Sequence, residues 1–240
     1  MKSYNEQLTA LRASGNLRHL PEVEHQGIWI LKEGKRMLNL SSNDYLGLAS
    51  RQDLQEEFKH PHKYRFYPYS SSSSRLLTGN FSVYTKLEKQ IARSFDREAA
   101  LIFNSGYHAN TGILPALTDK QTLLLADKLV HASIIDGILL SGSPFLRYHH
   151  NDYDQLERLV QKNACQYETI IILTESIFSM DGDVADLNRL IAIKRQYPNI
   201  LLYVDEAHAI GARGKTGLGI AEEQSCIQEI DLLSVLSARR

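Results

Sequence analysis

The chain reads as an α/β protein built on a mostly parallel sheet flanked by helices, and three observations predict it. From about residue 81 onward, β-rich runs alternate with segments of helical periodicity, which is the pattern of βαβ units. Two of the runs, Ile170-Ile171-Ile172-Leu173 and Ile200-Leu201-Leu202-Tyr203-Val204, are apolar without alternation, as strands covered on both faces are. Each then releases acids, hydroxyls or an imidazole, where such a sheet places its ligands, outside the carboxyl ends of the strands.

Taken in order, residues 4 to 18 are polar with Leu8, Leu11 and Leu17 on one helical face, which predicts an N-terminal helical arm. Ile28-Trp29-Ile30-Leu31 and Met37-Leu38-Asn39-Leu40, joined by Lys32-Glu33-Gly34-Lys35, predict a hairpin. Val83, Leu87 and Ile91 lie at i, i+4, i+8 of a helix, Ala99 to Phe103 and Thr122 to Ala126 read as strands, and residues 152 to 162 and 186 to 197 read as helices. Strands at 143 to 148, 168 to 173 and 200 to 204 complete the alternation. This assigns residues 1–45 to arm and hairpin and 46–240 to one large domain.

The 240 residues are 43% hydrophobic, enough for a real core, and carry a net charge of -1. No basic excess exists to neutralise a phosphate backbone, so nucleic acid is not an expected partner. Cys165 and Cys226 form no C-x-x-C, which argues against a zinc ribbon or a disulfide framework, and no metal is expected in the site. The N-terminus lacks an apolar h-region and no apolar run approaches a membrane span, so a cytoplasmic protein without membrane contact is expected.

Asp205-Glu206-Ala207-His208 follows the strand at 200 to 204 and suits a pyridoxal phosphate site. A carboxylate facing a pyridine nitrogen keeps it protonated, and His208 could reach the ring hydroxyl. The same string also ends the metal-binding strand of helicase-type ATPases, but that chemistry needs an upstream phosphate loop. Gly214-Lys215-Thr216 lies downstream and has Ala209 where the first glycine belongs. Asn104-Ser105-Gly106-Tyr107 opens a helix, so Ser105 and the amides of Gly106 and Tyr107 could hold a phosphate, or could equally be an ordinary capped start. His131, just after a strand, could stack on a planar ring or simply begin a helix. His149 and His150 are left out of the site, since an N-cap at Asn151 or Asp152 explains the polarity there. Tyr69 to Asn80, with its serine run, Arg75 and Gly79, reads as a solvated loop or as an approach to an anion.

Joined in order, Asn43-Asp44-Tyr45-Leu46-Gly47-Leu48-Ala49, Ser73-Ser74-Arg75-Leu76-Leu77-Thr78-Gly79-Asn80, Ser105-Gly106-Tyr107-x-Ala109-Asn110, His131-Ala132-Ser133-Ile134-Ile135-Asp136-Gly137, Glu175 to Asp183 and Val204 to His208 resemble the α-oxoamine synthases over about residues 16 to 233. These are fold-type I pyridoxal phosphate enzymes that condense an amino acid with an acyl-CoA. The resemblance implies the large domain of that fold and pyridoxal 5'-phosphate as cofactor. It places Gly106 and Tyr107 against the cofactor, His131 on its ring, Ser179 and His208 in hydrogen bonds to it, and Asp205 on the pyridine nitrogen. His131, Asp205 and His208 are the implied catalytic residues, and Arg18 and Asn43 fall near the family's substrate contacts. Ser105-Gly106-Tyr107 favours the biotin-pathway member that joins L-alanine to pimeloyl-CoA or pimeloyl-acyl carrier protein with loss of CO2. Glycine C-acetyltransferase, 5-aminolevulinate synthase and serine palmitoyltransferase are the alternatives. The family builds its site between two subunits, so a homodimer with Ser70 to Asn80 crossing over is implied.

The sequence departs from the family after Leu233. A phosphate-contacting Thr or Ser and the Schiff-base lysine should follow, but the text reads Ser234-Val235-Leu236-Ser237-Ala238-Arg239-Arg240. Arg239 falls near the lysine position, and a guanidinium that stays protonated cannot replace it. The expectation is a large domain incomplete at its C-terminal end, without the small domain and inactive by itself, or a non-catalytic fragment or dimer partner.

Overall fold

The computed structural model describes residues 3–59 and 70–235, which gather into two compact units, Met1–Gln52 and Asp53–Arg240. Segment 46–52, grouped by sequence with the large domain, clusters with the arm; there the Asp44 carboxylate accepts from the amides of Leu48 (2.7 Å) and Ala49 (3.1 Å). Arg239 and the rest of 236–240, like Tyr69 at the head of the serine run, lie outside the described residues.

In the first unit, helix α1 (Tyr4–Ala13) starts with a capping box: Ser3 Oγ accepts from the Glu6 amide and Glu6 Oε2 accepts from the Ser3 amide. It stops short of residue 18 because Gly15 turns left-handed at φ 70° and the amides of Asn16 and Leu17 fold back onto the Leu11 carbonyl. Strands β1 (Glu24–Gln26), β2 (Trp29–Lys32) and β3 (Lys35–Leu38) form an antiparallel sheet. The β2–β3 hairpin turns through Glu33 and Gly34, both at positive φ as a type I′ turn requires.

The second unit runs α2 (Gln52–Lys59, beginning at the boundary), α3 (Ser82–Ser94), α4 (Gly106–Leu117), β4 (Thr122–Asp127), α5 (Ala132–Ser141), β5 (Phe145–Tyr148), α6 (Tyr153–Asn163), β6 (Thr169–Glu175), α7 (Leu187–Lys194), β7 (Ile200–Asp205), α8 (Ile220–Glu223) and β8 (Leu232–Ser234). The strands pair in the order β5-β4-β6-β7-β8, every pair parallel. From β4 the chain goes outward to β5 and then returns to β6 on β4's other side. That reversal makes the carboxyl ends of β4 and β6 the topological switch point, where open α/β sheets bind ligands. All six residues of β4 and the core of β6 are buried, as their unbroken apolar runs require.

Ala99–Phe103, expected as a strand, forms none. Its Ile102 amide donates to Glu88 Oε1 and its Ile102 carbonyl accepts from Arg75, so side chains satisfy backbone that a ladder would otherwise pair. The segment faces β8 across an apolar cleft of about 700 Å³ instead of bonding to it, and Leu101 is exposed. Among the described residues no helix is long and apolar enough to cross a membrane.

Candidate functional site

Alternation along β7 sends Tyr203 and Asp205 to one face of the sheet and Glu206 to the other. On the first face the chain meets α4. Asn110, buried in the second turn of that helix, donates through Nδ2 to Asp205 Oδ2 (3.1 Å) and Ser133 Oγ (2.9 Å), while its Oδ1 accepts from the Tyr203 hydroxyl (2.5 Å). The Ala207 amide donates to Asp205 Oδ1 at 2.9 Å, so both carboxylate oxygens are held from the protein side. Burial pushes the Tyr203 phenol well above its ordinary value, with the Asp205 charge adding to it, so it stays a donor.

Close packing of α4 on α5 makes this network possible. Gly137, in the middle of α5, lies against the Asn110 backbone, and a Cβ there would come within 2.5 Å of the Asn110 carbonyl oxygen. A mid-helix glycine costs about 1 kcal/mol relative to alanine; here it lets the helix carrying Asn110 approach the end of β7.

At the head of α4, Ser105 is the N-cap, its Oγ accepting from the His108 amide at 3.1 Å. The first amides of a helix have no intrahelical acceptor, and Gly106 stands one turn, about 6 Å along the axis, from Asn110. The Tyr107 ring is half exposed and its hydroxyl donates to Asp136 Oδ2 (2.9 Å); that bond and the neighbouring charge raise the phenol above its usual value. His131 caps α5, its Nδ1 accepting from the Ser133 amide (3.2 Å), and its own amide donates to Glu175 Oε1. Glu175 and Asp205 are register partners on β6 and β7, so their side chains leave the same face. Ser179 lies on an exposed turn after β6, and His208 is half-buried in the turn that follows Asp205.

On the opposite face, Glu206 is fully buried and accepts from Ser176 Oγ (2.5 Å), the Ile220 amide (3.1 Å) and the Ala221 amide (2.6 Å). Burial raises its carboxyl above the usual range, with those three bonds opposing. It ties the end of β6 and the start of α8 to β7, which anchors the loop carrying His208.

Hydrogen bonds thus join Asp205, Asn110, Ser133 and His131 to α4, whose head carries Ser105, Gly106 and Tyr107. The strands deliver Ser179 and His208 to the same end of the sheet. Arg18 and Asn43 belong to the first unit and are described there alone. Arg75 is committed elsewhere: its guanidinium donates to Asn80, to the Ile102 carbonyl and to Glu88, and it lies over the Tyr84 ring. Sequence reasoning placed Asn110, Ser133 and Glu175 inside family motifs without giving them a role, and missed Tyr203 as a partner in the site. The available signal was polarity inside otherwise apolar elements, Asn110 in a helix and Tyr203 in a strand read as pure core.

The sequence profile of the family described as aminotransferase class I and II matches residues 35–235. The chain belongs to the aminotransferase class I and II family. Among curated members it is 58% identical over 233 residues, 97% of its length, to a Haemophilus influenzae (strain 86-028NP) protein provisionally named 8-amino-7-oxononanoate synthase. The chain spans 61% of that relative's length. A variant of the serine palmitoyltransferase from S. paucimobilis, solved with a PLP–myriocin adduct, superposes with a TM-score of 0.82 at 25% identity, over 95% of this chain and 57% of its own. The 8-amino-7-oxononanoate synthase of Francisella tularensis superposes with a TM-score of 0.61 at 32% identity, over 78% of this chain and 50% of its own. The α/β fold expected from the sequence is the fold-type I architecture of these family members.

Proposed function

We propose that this chain carries the pyridoxal phosphate site of an enzyme that condenses L-alanine with a pimeloyl thioester, losing CO2, to give 8-amino-7-oxononanoate. The observation that carries the reading is Asp205: a buried carboxylate, fixed by Asn110 and the Ala207 amide, at the sheet end that also holds His131 and the head of α4. These residues fit the cofactor. A buried carboxylate suits a protonated ring nitrogen, and the open amides of a capped helix suit a phosphate.

When bound, the cofactor supplies an electron sink for a carbanion at the substrate's α-carbon. The residues do the rest. Asp205 would keep a proton on the ring nitrogen, with Asn110 and Tyr203 keeping Asp205 in place. Ser105 with the Gly106 and Tyr107 amides would hold the phosphate. His131, its backbone fixed by Glu175, would stand against the cofactor. Ser179 and His208 would supply hydrogen bonds to it, and Arg18 and Asn43, in the first unit, are the substrate contacts the family resemblance implies. The relatives' names support 8-amino-7-oxononanoate as the product; alanine and a pimeloyl thioester, on CoA or acyl carrier protein, as substrates and a cytoplasmic homodimer are what the family resemblance implies. Leu76 and Leu77, 95% and 78% exposed, suit a segment that crosses to a second subunit.

The test is CoA release from pimeloyl-CoA, in the presence of pyridoxal phosphate, by this chain extended to the relatives' full length. Release dependent on L-alanine is the expected outcome. Release dependent on glycine with acetyl-CoA would select the glycine C-acetyltransferase alternative, and on serine with a long acyl-CoA the serine palmitoyltransferase one. The unextended chain is expected to bind the cofactor without borohydride-stable attachment to Lys128 or Lys215.

A further inference from the structure

His150 stands just past β5, outside the residues assigned above, and its ring spans two carboxylates. Nδ1 lies 2.9 Å from Asp127 Oδ1 and Nε2 2.5 Å from Asp183 Oδ2, with the ring edge-on to Phe178 at a centroid distance of 4.4 Å. Asp127 is the last residue of β4 and is wholly buried; its Oδ1 also accepts from the Leu129 amide (2.8 Å) and its Oδ2 from the Asn151 amide (2.9 Å). It therefore fixes the start of the turn that delivers His131. Asp183 closes the turn that carries Ser179: its carbonyl accepts from the Phe178 amide (3.1 Å), and the Gly182 amide donates to the Phe178 carbonyl (2.8 Å). Asn151 Nδ2 adds a second bond to Asp183 Oδ2 at 2.8 Å.

We infer that His150 is a positioning residue, a strut between Asp127 and Asp183 that holds the His131 turn and the Ser179 turn at a fixed separation across the switch point. This rests on the reading of the site as a cofactor pocket. It adds that the two sides of the pocket are set by a third loop that need not touch the cofactor.

Carboxylates only accept, so both ring nitrogens must donate to make both bonds, and only the imidazolium does that. Burial pulls the imidazole down, but the hydrogen bonds to Asp127 and Asp183 and their charges outweigh it, so its pKa stands above the ordinary value. The titratable neighbours are Asp127 from β4, Asp183 from the turn after β6, Tyr148 on β5, whose buried phenol senses Asp127, and Tyr153 on α6, whose hydroxyl donates to Asn151 Oδ1. Both phenols are shifted upward and stay neutral where His150 titrates. A raised imidazole means that the tie is complete below the unfolded-state value and is lost as pH rises through the folded one.

The experiment follows the 240-residue chain and its His150→Phe, His150→Gln and Asp183→Asn variants by three measurements. These are histidine nitrogen NMR titration, hydrogen exchange of residues 127–133 and 177–185, and the affinity for added pyridoxal phosphate as a function of pH. The strut requires His150 to titrate above the ordinary imidazole value and to fall back in Asp183→Asn. Exchange should rise in both segments together in either His150 variant. Cofactor affinity should weaken on the order of tenfold, and its alkaline decline should move to lower pH in Asp183→Asn. If His150→Phe fails to fold, the Gln and Asn variants carry the test. Exchange rising in one segment only or in neither, or an affinity profile that Asp183→Asn leaves in place, would overturn the inference. If the unaltered chain binds no pyridoxal phosphate at all, the cofactor reading fails, while titration and exchange still decide whether the strut exists.

Discussion

On the α4 side of β7, Asp205 is held by a side-chain amide and one backbone amide, and the ring of His131 stands exposed beside that network. On the α8 side, Glu206, the next residue, is enclosed by Ser176 and the amides of Ile220 and Ala221. Both are buried carboxylates at one strand end, yet Glu206 is surrounded by Ser176 and the start of α8, whereas Asp205 shares a network with Asn110 and Ser133 that reaches the exposed His131. Burial alone therefore does not mark a functional acid. What surrounds the carboxylate, and on which face of the sheet, separates the scaffold from the site.

The largest expected effect breaks the scaffold side. Glu206→Ala leaves two buried amides and the Ser176 hydroxyl without acceptors, and should cost about 3 kcal/mol or more, read as a lowered urea midpoint. The group also gives a pH signature of definite sign. Its folded-state pKa is raised, so the folded state takes up the proton first. Its contribution to stability is complete below the ordinary carboxyl value and is lost as pH rises through the raised one. The variant should lack that component. Gly219 adjoins the same carboxylate at φ 92°, and a Cβ there would lie 2.5 Å from Glu206 Oε2. Gly219→Ala should thus cost less in the Glu206→Ala background than in the original chain.

Next in size, Gly137→Ala tests the functional side through its packing. The added methyl meets the Asn110 carbonyl, and overpacking of this kind costs about 1–3 kcal/mol, partly offset by alanine's better helix propensity. Stability and affinity for pyridoxal phosphate should fall together, because Asn110 is displaced from Asp205. Affinity unchanged at reduced stability would separate the helix contact from the site. The smallest effect is Tyr203→Phe, which removes one buried bond to Asn110 and should cost about 1 kcal/mol by denaturant titration.

Much of this was legible in the sequence because the governing physics is local. Unbroken apolar runs mark β6 and β7, Glu33-Gly34 fits a hairpin turn, and the Ser105 and Asp152 caps announce α4 and α6. Ala99–Phe103 is an unbroken apolar run like those strands but lacks a ladder partner, and no local pattern reports the partner of a strand. The loop carrying Arg75 stayed open between a solvated loop and an anion contact, because isolated sequence cannot show that Glu88, Asn80 and a carbonyl already engage its guanidinium. His150 was passed over for a related reason. The N-cap at Asp152 accounts for the local polarity, and the carboxylates that give the ring its place lie 23 and 33 residues away in sequence.

The central claim is that the Asp205 face, and not the Glu206 face, holds pyridoxal phosphate. Titration of the chain and of Asp205→Asn with the cofactor, followed by induced circular dichroism, tests it most directly. The substitution keeps the shape and removes the charge, but its amide nitrogen faces one of the two donors that hold Asp205, so stability should fall by about 1–3 kcal/mol. Saturable binding is expected in the original chain, weakened at least on the order of tenfold in Asp205→Asn by loss of the ion pair with the ring. Equal binding by the two chains would contradict the account.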